Sequence, residues 1–219
     1  MKNVLEADSI VVSYNNRLVL TSVYIRCQQG EIVGLLGRNG SGKSTLLKTI
    51  FGILQPDHKS VRINGMWIAN GYSQSNVTLL PQFGMIPSNL RIVEAMRLFD
   101  IDVSRIKTFA PDKLLLIDRK PSQLSGGELR FVELLLILFS NSRFSLLDEP
   151  FSGLSPVMIE RAIEIMNEVK KEKGLLITDH MYRYVTSCAE RLYCMYNGSV
   201  VEIKGPDDLI HYGYLNADE

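Results

Sequence analysis

The sequence predicts an α/β fold: a mainly parallel sheet with helices on both faces, an antiparallel β layer at the N-terminal end, and a small helical insert. Three observations predict it. From Ser125 onward, strand-like apolar runs alternate with helical ones, the pattern of a parallel sheet. Residues 9–35 read almost wholly as β, and residues 88–119 carry helical spacing with no strand among them. With 219 residues, 46% of them hydrophobic, the chain is large enough for a real core and too apolar for disorder.

In chain order, "SIVVSY" and "LVLTSVYIRC" read as strands, and a Gln-Gln-Gly turn leads into the strand "EIVGLLG". A helix runs from Lys43 to about Gly52. "SVRING" is a short strand ending in an Asn-Gly turn signal, and "NVTLLPQ" is a strand stopped by Pro81. "SNLRIVEAMRLF" opens on Ser and Asn with helical spacing, and "APDKLLLI" is a second helical piece. Then come a helix from Ser125 to about Ser140, the strand "FSLLD", a helix from Pro156 to Lys173 and the strand "GLLITD". The helix "MYRYVTSCAERL" and the strands "YCMYN" and "SVVEIKG" end the chain. The expected division is one domain: residues 1–87 and 120–219 form the core with its β layer, and 88–119 the helical subdomain.

Composition excludes several functions. Lys+Arg and Asp+Glu number 24 each, so there is no basic footprint for nucleic acid. Cys27, Cys188 and Cys194 form no C-x-x-C pair and suit reduced thiols rather than disulfides or zinc. The opening "MKNVLEADSIVVSY" is interrupted by Glu6 and Asp8 and is not read as a signal peptide. The longest apolar run, Leu134 to Phe139, is too short to span a bilayer.

The chemistry begins at "GRNGSGKS", Gly37 to Ser44, which satisfies G-x-x-x-x-G-K-[ST] between an apolar strand and a helix. That context defines a P-loop NTPase core. Glycines let consecutive backbone N–H groups turn inward on phosphate oxygens, and the helix dipole adds positive charge there. Gly37, Arg38, Asn39, Gly40, Ser41, Gly42, Lys43, Ser44 and Thr45 are the candidate ATP-binding residues, with Lys43 reaching the β- and γ-phosphates and Ser44 a ligand of Mg²⁺. "FSLLDEP" supplies the second strand such a site needs: Asp148 as the acid on the metal side, Glu149 to polarise a water towards the γ-phosphate.

"LSGGELRFVELLLILF" carries a second feature. Ser125 and Glu128 form an S-x-x-E capping box at the head of an apolar helix. The box leaves Gly126 and Gly127 unexplained, since glycine weakens a first turn. Serine and two glycines at a helix N-terminus also make an anion site. One nucleotide has no need of two such sites in one chain, whereas two chains packed head to tail would each lend the second site to the other's ATP.

"GRNGSGKST", "LSGGE" and "LLDEP", in this order with a helical insert between the first two, closely resemble the nucleotide-binding domain of ATP-binding cassette (ABC) ATPases, over nearly the whole chain. The resemblance implies an Mg²⁺-dependent ATPase. It puts Tyr14 where the family has an aromatic that stacks on adenine. Gln82 falls at the lid glutamine that touches Mg²⁺ and the attacking water, with Gln74 as the competing candidate. His180 falls at the switch histidine that contacts the γ-phosphate. Two positions depart from the pattern: Ser155 stands where Asp is usual in a loop that crosses to the partner, and Glu128 where Gln is commoner. Family members mostly energise transport, which implies a membrane permease on a separate chain, a homodimer or heterodimer of cassettes, and a peripheral place on the cytoplasmic face of the cell membrane. Phe83, Met85, Ile86, Leu98 and Phe99 are the apolar candidates for the docking groove. A soluble ABC ATPase, for example in cofactor assembly, is the alternative; a single cassette with a short insert disfavours the translation and repair types. A non-hydrolysing cassette is a third reading, opposed by Glu149 and His180.

Overall fold

The computed structural model describes residues 2–73 and 76–215. Strands β1 (Val4–Tyr14) and β2 (Arg17–Gln28) pair antiparallel across Asn15-Asn16, both at positive φ, which matches the right-handed twist of a two-residue hairpin. β3 (Ile32–Gly37) follows, then α1 (Lys43–Phe51). β4 (His58–Ile63) and β5 (Met66–Trp67) flank the Asn64-Gly65 turn, and the first sheet has the order β2-β1-β4-β5. β6 (Val77–Leu80), β7 (Phe144–Asp148), β8 (Gly174–Thr178), β9 (Arg191–Tyr196) and β10 (Ser199–Ile203) complete a second sheet, ordered β10-β9-β3-β8-β7-β6. All of its neighbours pair in parallel except β10 with β9.

The helices are α2 (Ile92–Leu98), α3 (Val103–Phe109), α4 (Gly126–Phe139), α5 (Pro156–Val169), α6 (Tyr182–Cys188) and α7 (Pro206–His211). The second sheet is covered on both faces, and its strands show it by alternation. Ile32, Leu36, Leu147 and Ile177 point into the core beneath α4, α5 and the helical insert. Val33, Leu35, Leu146 and Leu176 point the other way, against α1 and the antiparallel layer.

This is the predicted α/β architecture, with shifts at particular elements. β1 begins at Val4, because Glu6 and Asp8 are its outward positions while Leu5 and Ala7 are buried. "APDKLLLI" forms a 3-10 helix, Pro111–Leu116, and not an α-helix. The helix expected over 181–192 stops at Cys188, since Arg191 and Leu192 already pair with β3. α3 and α7 had no counterpart in the sequence reading.

Lys173, 3% exposed, lies between the end of α4 and the sheet, where its ammonium donates to the carbonyl of Ser140 at 2.6 Å and to the Ser142 hydroxyl at 3.1 Å. Burial pushes its pKa down to about 7, with the Arg105 charge acting in the same direction. The unfolded chain keeps that proton up to the ordinary lysine value of about 10.4, so between these limits it binds more protons than the folded chain. Stability contributed by this residue is therefore lowest below about pH 7 and rises with pH above it. In urea unfolding from pH 7 to 9, wild-type stability should rise relative to that of Lys173→Met, which lacks this part of the slope.

Candidate functional site

The phosphate loop leaves β3 at its carboxyl end and returns as α1. Gly42, the residue before the helix, has φ +109, and a Cβ there would meet Leu20 Cδ2 at 2.9 Å. Only glycine fits that turn. Lys43, 6% exposed, donates from Nζ to the carbonyls of Gly37 at 2.7 Å and Arg38 at 3.2 Å, closing the loop on itself. Burial lowers its pKa while Glu149, Asp148 and Asp179 pull it back up. The Ser41 hydroxyl is buried with no hydrogen-bond partner, a polar group whose desolvation a phosphate oxygen would relieve.

β7 delivers the two acids. Asp148 is 1% exposed and accepts from the Thr178 hydroxyl at 2.8 Å. Glu149, the next residue, sits at φ +51, so its side chain leaves the strand in a different direction. Its Oε2 accepts from Gln82 Nε2 at 3.0 Å and lies 3.9 Å from His180 Nδ1. His180 is also 3.4 Å from Asp179. The buried Asp179 accepts the N–H groups of Phe151 at 3.1 Å and Met181 at 2.9 Å, joining the loops that follow Glu149 and His180. Desolvation raises its pKa.

Asn39, Gly40, Ser41, Gly42, Lys43, Ser44, Thr45, Gln82, Glu149 and His180 line one cavity of about 350 Å³. Gly37 and Arg38 line a neighbouring recess with His180. Tyr14, at the end of β1 and 48% exposed, stands outside that lining, as does the buried Asp148. Gln74 lies outside the described residues.

Ser125, Gly126 and Gly127 are elsewhere, on an exposed edge. Ser125 caps α4 in the reciprocal box: its Oγ accepts from the Glu128 N–H at 3.3 Å, and Glu128 Oε2 accepts the Ser125 N–H at 2.9 Å. The Ser125 N–H and the Ser125 hydroxyl, which donates to Glu128 Oε2 at 2.8 Å, hold the Glu128 carboxyl below the usual range. The two glycines differ. A Cβ on Gly127 would meet the Gly153 carbonyl at 2.8 Å, so packing explains it, whereas one on Gly126 would face open space. Ser155 caps α5, its hydroxyl accepting from the Met158 N–H at 3.4 Å.

Sequence reasoning missed Asp179, Arg130 and Glu133. Of the last two, the only sign was a pair of charges three residues apart in the otherwise apolar run "LRFVELLLILF". One of the apolar candidates needs correction: Ile86 is 8% exposed and belongs to the core, whereas Phe83 is 79% exposed. Met85, Leu98 and Phe99 do line a cavity of about 610 Å³, together with Phe51, Ile53, Tyr72 and Leu79.

A glycine-rich phosphate loop, strand-end carboxylates and a capped glycine helix head on one parallel sheet define the ATP-hydrolysing cassette class. The ABC transporter family pattern matches residues 20–152, and the chain belongs to that family. It is an ATP-binding subunit of the ABC transporter type and an ATPase, with ATP as substrate and Mg²⁺ as cofactor. It is similar to the lipopolysaccharide export system ATP-binding protein LptB of Haemophilus influenzae, 31% identical across 95% of this chain and 93% of that protein. LptB of Acidithiobacillus ferridurans is 30% identical across 96% and 93%. A solved structure described as the ATP binding subunit of an ABC transporter superposes with a TM-score of 0.83 at 26% identity, over 98% of this chain and 95% of that one. Among the described residues no helix is long and apolar enough to cross a membrane.

Gly42→Ala places a side chain at left-handed φ against Leu20, a strain of about 1–2 kcal/mol. ATP affinity, measured by titration calorimetry, should fall roughly 10-fold, with the parallel sheet intact by circular dichroism.

Proposed function

We propose that the chain powers transport through a permease on a separate chain, by ATP-driven head-to-tail pairing of two cassettes and hydrolysis at each shared site. The observation that carries this reading is the separation within one chain: the Ser125–Gly127 head, with Gly126 facing open space, takes no part in lining the cavity of the chain's own phosphate loop. A second cassette with its phosphate loop against that head would complete both sites. The second cassette is a copy of this chain or a related one.

In this reading Gly37–Thr45 cradle the phosphates, Tyr14 stacks on adenine, and Glu149 takes the proton of the attacking water. Gln82, already hydrogen-bonded to Glu149, orients that water, and His180 contacts the γ-phosphate. Ser44, Gln82 and Asp148 offer hard oxygen donors suited to Mg²⁺, Asp148 through water, and three protein groups are enough for an ion that keeps phosphate and water ligands. When bound, the ion neutralises charge on the β- and γ-phosphates. Residues 88–119 act as the helical subdomain, and the apolar cavity between Phe51, Tyr72, Met85 and Phe99 receives the permease. Pro81, the chain neighbour of Gln82, also lines it, so an occupant there would touch the segment that carries Gln82.

Glu149→Gln keeps the cradle and loses the base. Its turnover should drop about 10²- to 10⁴-fold, and with MgATP it should sediment as a dimer; wild-type turnover would remove the base assignment. Adding Ser125→Arg to that variant should abolish the ATP-dependent dimer while monomer nucleotide binding persists. A normal dimer would sink the shared-site arrangement.

A further inference from the structure

Arg130 and Glu133 lie one turn apart on α4, 7% and 2% exposed. Charges this deep need partners. Arg130 finds them in the main chain: Nη2 donates to the carbonyls of Asp148 at 2.6 Å and Glu149 at 2.9 Å, and Nη1 to that of Pro81 at 2.7 Å. Glu133 extends the link, its Oε2 3.6 Å from Arg130 Nη1 and its Oε1 accepting the N–H of Met85 at 2.7 Å. The two side chains thus grip the backbone on both sides of Gln82 and at Glu149 itself, whose side chains meet at 3.0 Å. Packing α4 against the sheet requires none of this, since apolar residues of similar volume often replace a buried ion pair without loss.

We propose that Arg130, anchored by Glu133, is a positioning residue for ATP hydrolysis: it fixes Gln82 and Glu149 relative to each other. The proposal rests on Glu149 as the base. Arg130 holds the Glu149 carbonyl while that residue stays at φ +51. Without the guanidinium, Glu149 is free to relax to an ordinary backbone conformation, which carries its carboxylate away from Gln82.

The test is single-turnover hydrolysis and ATP affinity for Arg130→Met, Arg130→Lys and Glu133→Gln, each alone and with Glu149→Gln. Arg130→Met should slow hydrolysis about 100-fold with ATP affinity changed by less than about 2-fold. Arg130→Lys, which keeps the charge but not the forked donors, should be slowed nearly as much. In the Glu149→Gln background neither should slow the reaction further, because the group they position is gone. Losses that multiply in the double variants, or wild-type rates in Arg130→Met, overturn the proposal. Should Arg130→Met fail to fold, Glu133→Gln decides: it should slow hydrolysis about 10-fold, and an unchanged rate overturns the proposal. Undiminished turnover in Glu149→Gln alone overturns the base assignment and this proposal with it, whereas a slow Glu149→Gln beside a fast Arg130→Met overturns this proposal only.

Discussion

Leu35, Thr178 and Asp148 stand at one level because β3, β8 and β7 pair in parallel, Leu35 opposite Thr178 and Thr178 opposite Asp148. Every chemical group of the site leaves the sheet within a few residues of that line: the phosphate loop after Gly37, Glu149 after Asp148, Asp179 and His180 after Thr178. Ligands bind beyond the carboxyl ends of parallel strands for this reason. The register is the constraint on which the rest depends. A slip of one residue would turn Asp148 to the opposite face of the sheet and bury Leu147 against the wrong core. Alternating apolar residues on both faces forbid that slip, so the geometry of the site is enforced by packing that takes no part in the chemistry.

Glu149 shows how local strain is held. A non-glycine residue at positive φ costs about 1–3 kcal/mol. Its N–H donates to the Thr178 carbonyl at 2.8 Å, and its carbonyl accepts from Arg130 at 2.9 Å. A hydrogen bond to a charged donor contributes about 1.5–3 kcal/mol, so these two bonds suffice to offset the strain. The strained conformation is what separates the directions of two adjacent carboxylates, leaving Asp148 on Thr178 and Glu149 on Gln82.

The phosphate loop was legible because its chemistry lies in consecutive residues, and the alternation of strands and helices was legible because burial imposes a period. What failed has physical causes. The signals of α3 and α7 are local ones, Asp102 capping the start of α3 and Asp207 and Asp208 in the first turn of α7, and such residues also mark plain turns. Ile86, an apolar residue in a loop, reads equally as surface or core. Arg130 was hidden because its partners are backbone carbonyls, 18 and 49 positions away for Asp148 and Pro81, and a carbonyl has no residue type to leave a mark in the sequence.

Lys43 is the one lysine or arginine lining the cavity among the described residues, and three carboxylates, Glu149, Asp148 and Asp179, act on it. The adjoining recess adds the positive charge of Arg38. A carboxylate about 4 Å from a phosphate oxygen costs about 4 kcal/mol at an effective dielectric of 20. Backbone N–H groups of the loop and the start of α1 supply attraction without formal charge, and they do not remove that repulsion. A divalent cation bound with the nucleotide would do so. The acids that pull the Lys43 pKa up would repel a triphosphate held in this cavity, and a divalent cation bound with it would offset that repulsion as well as serve the chemical step.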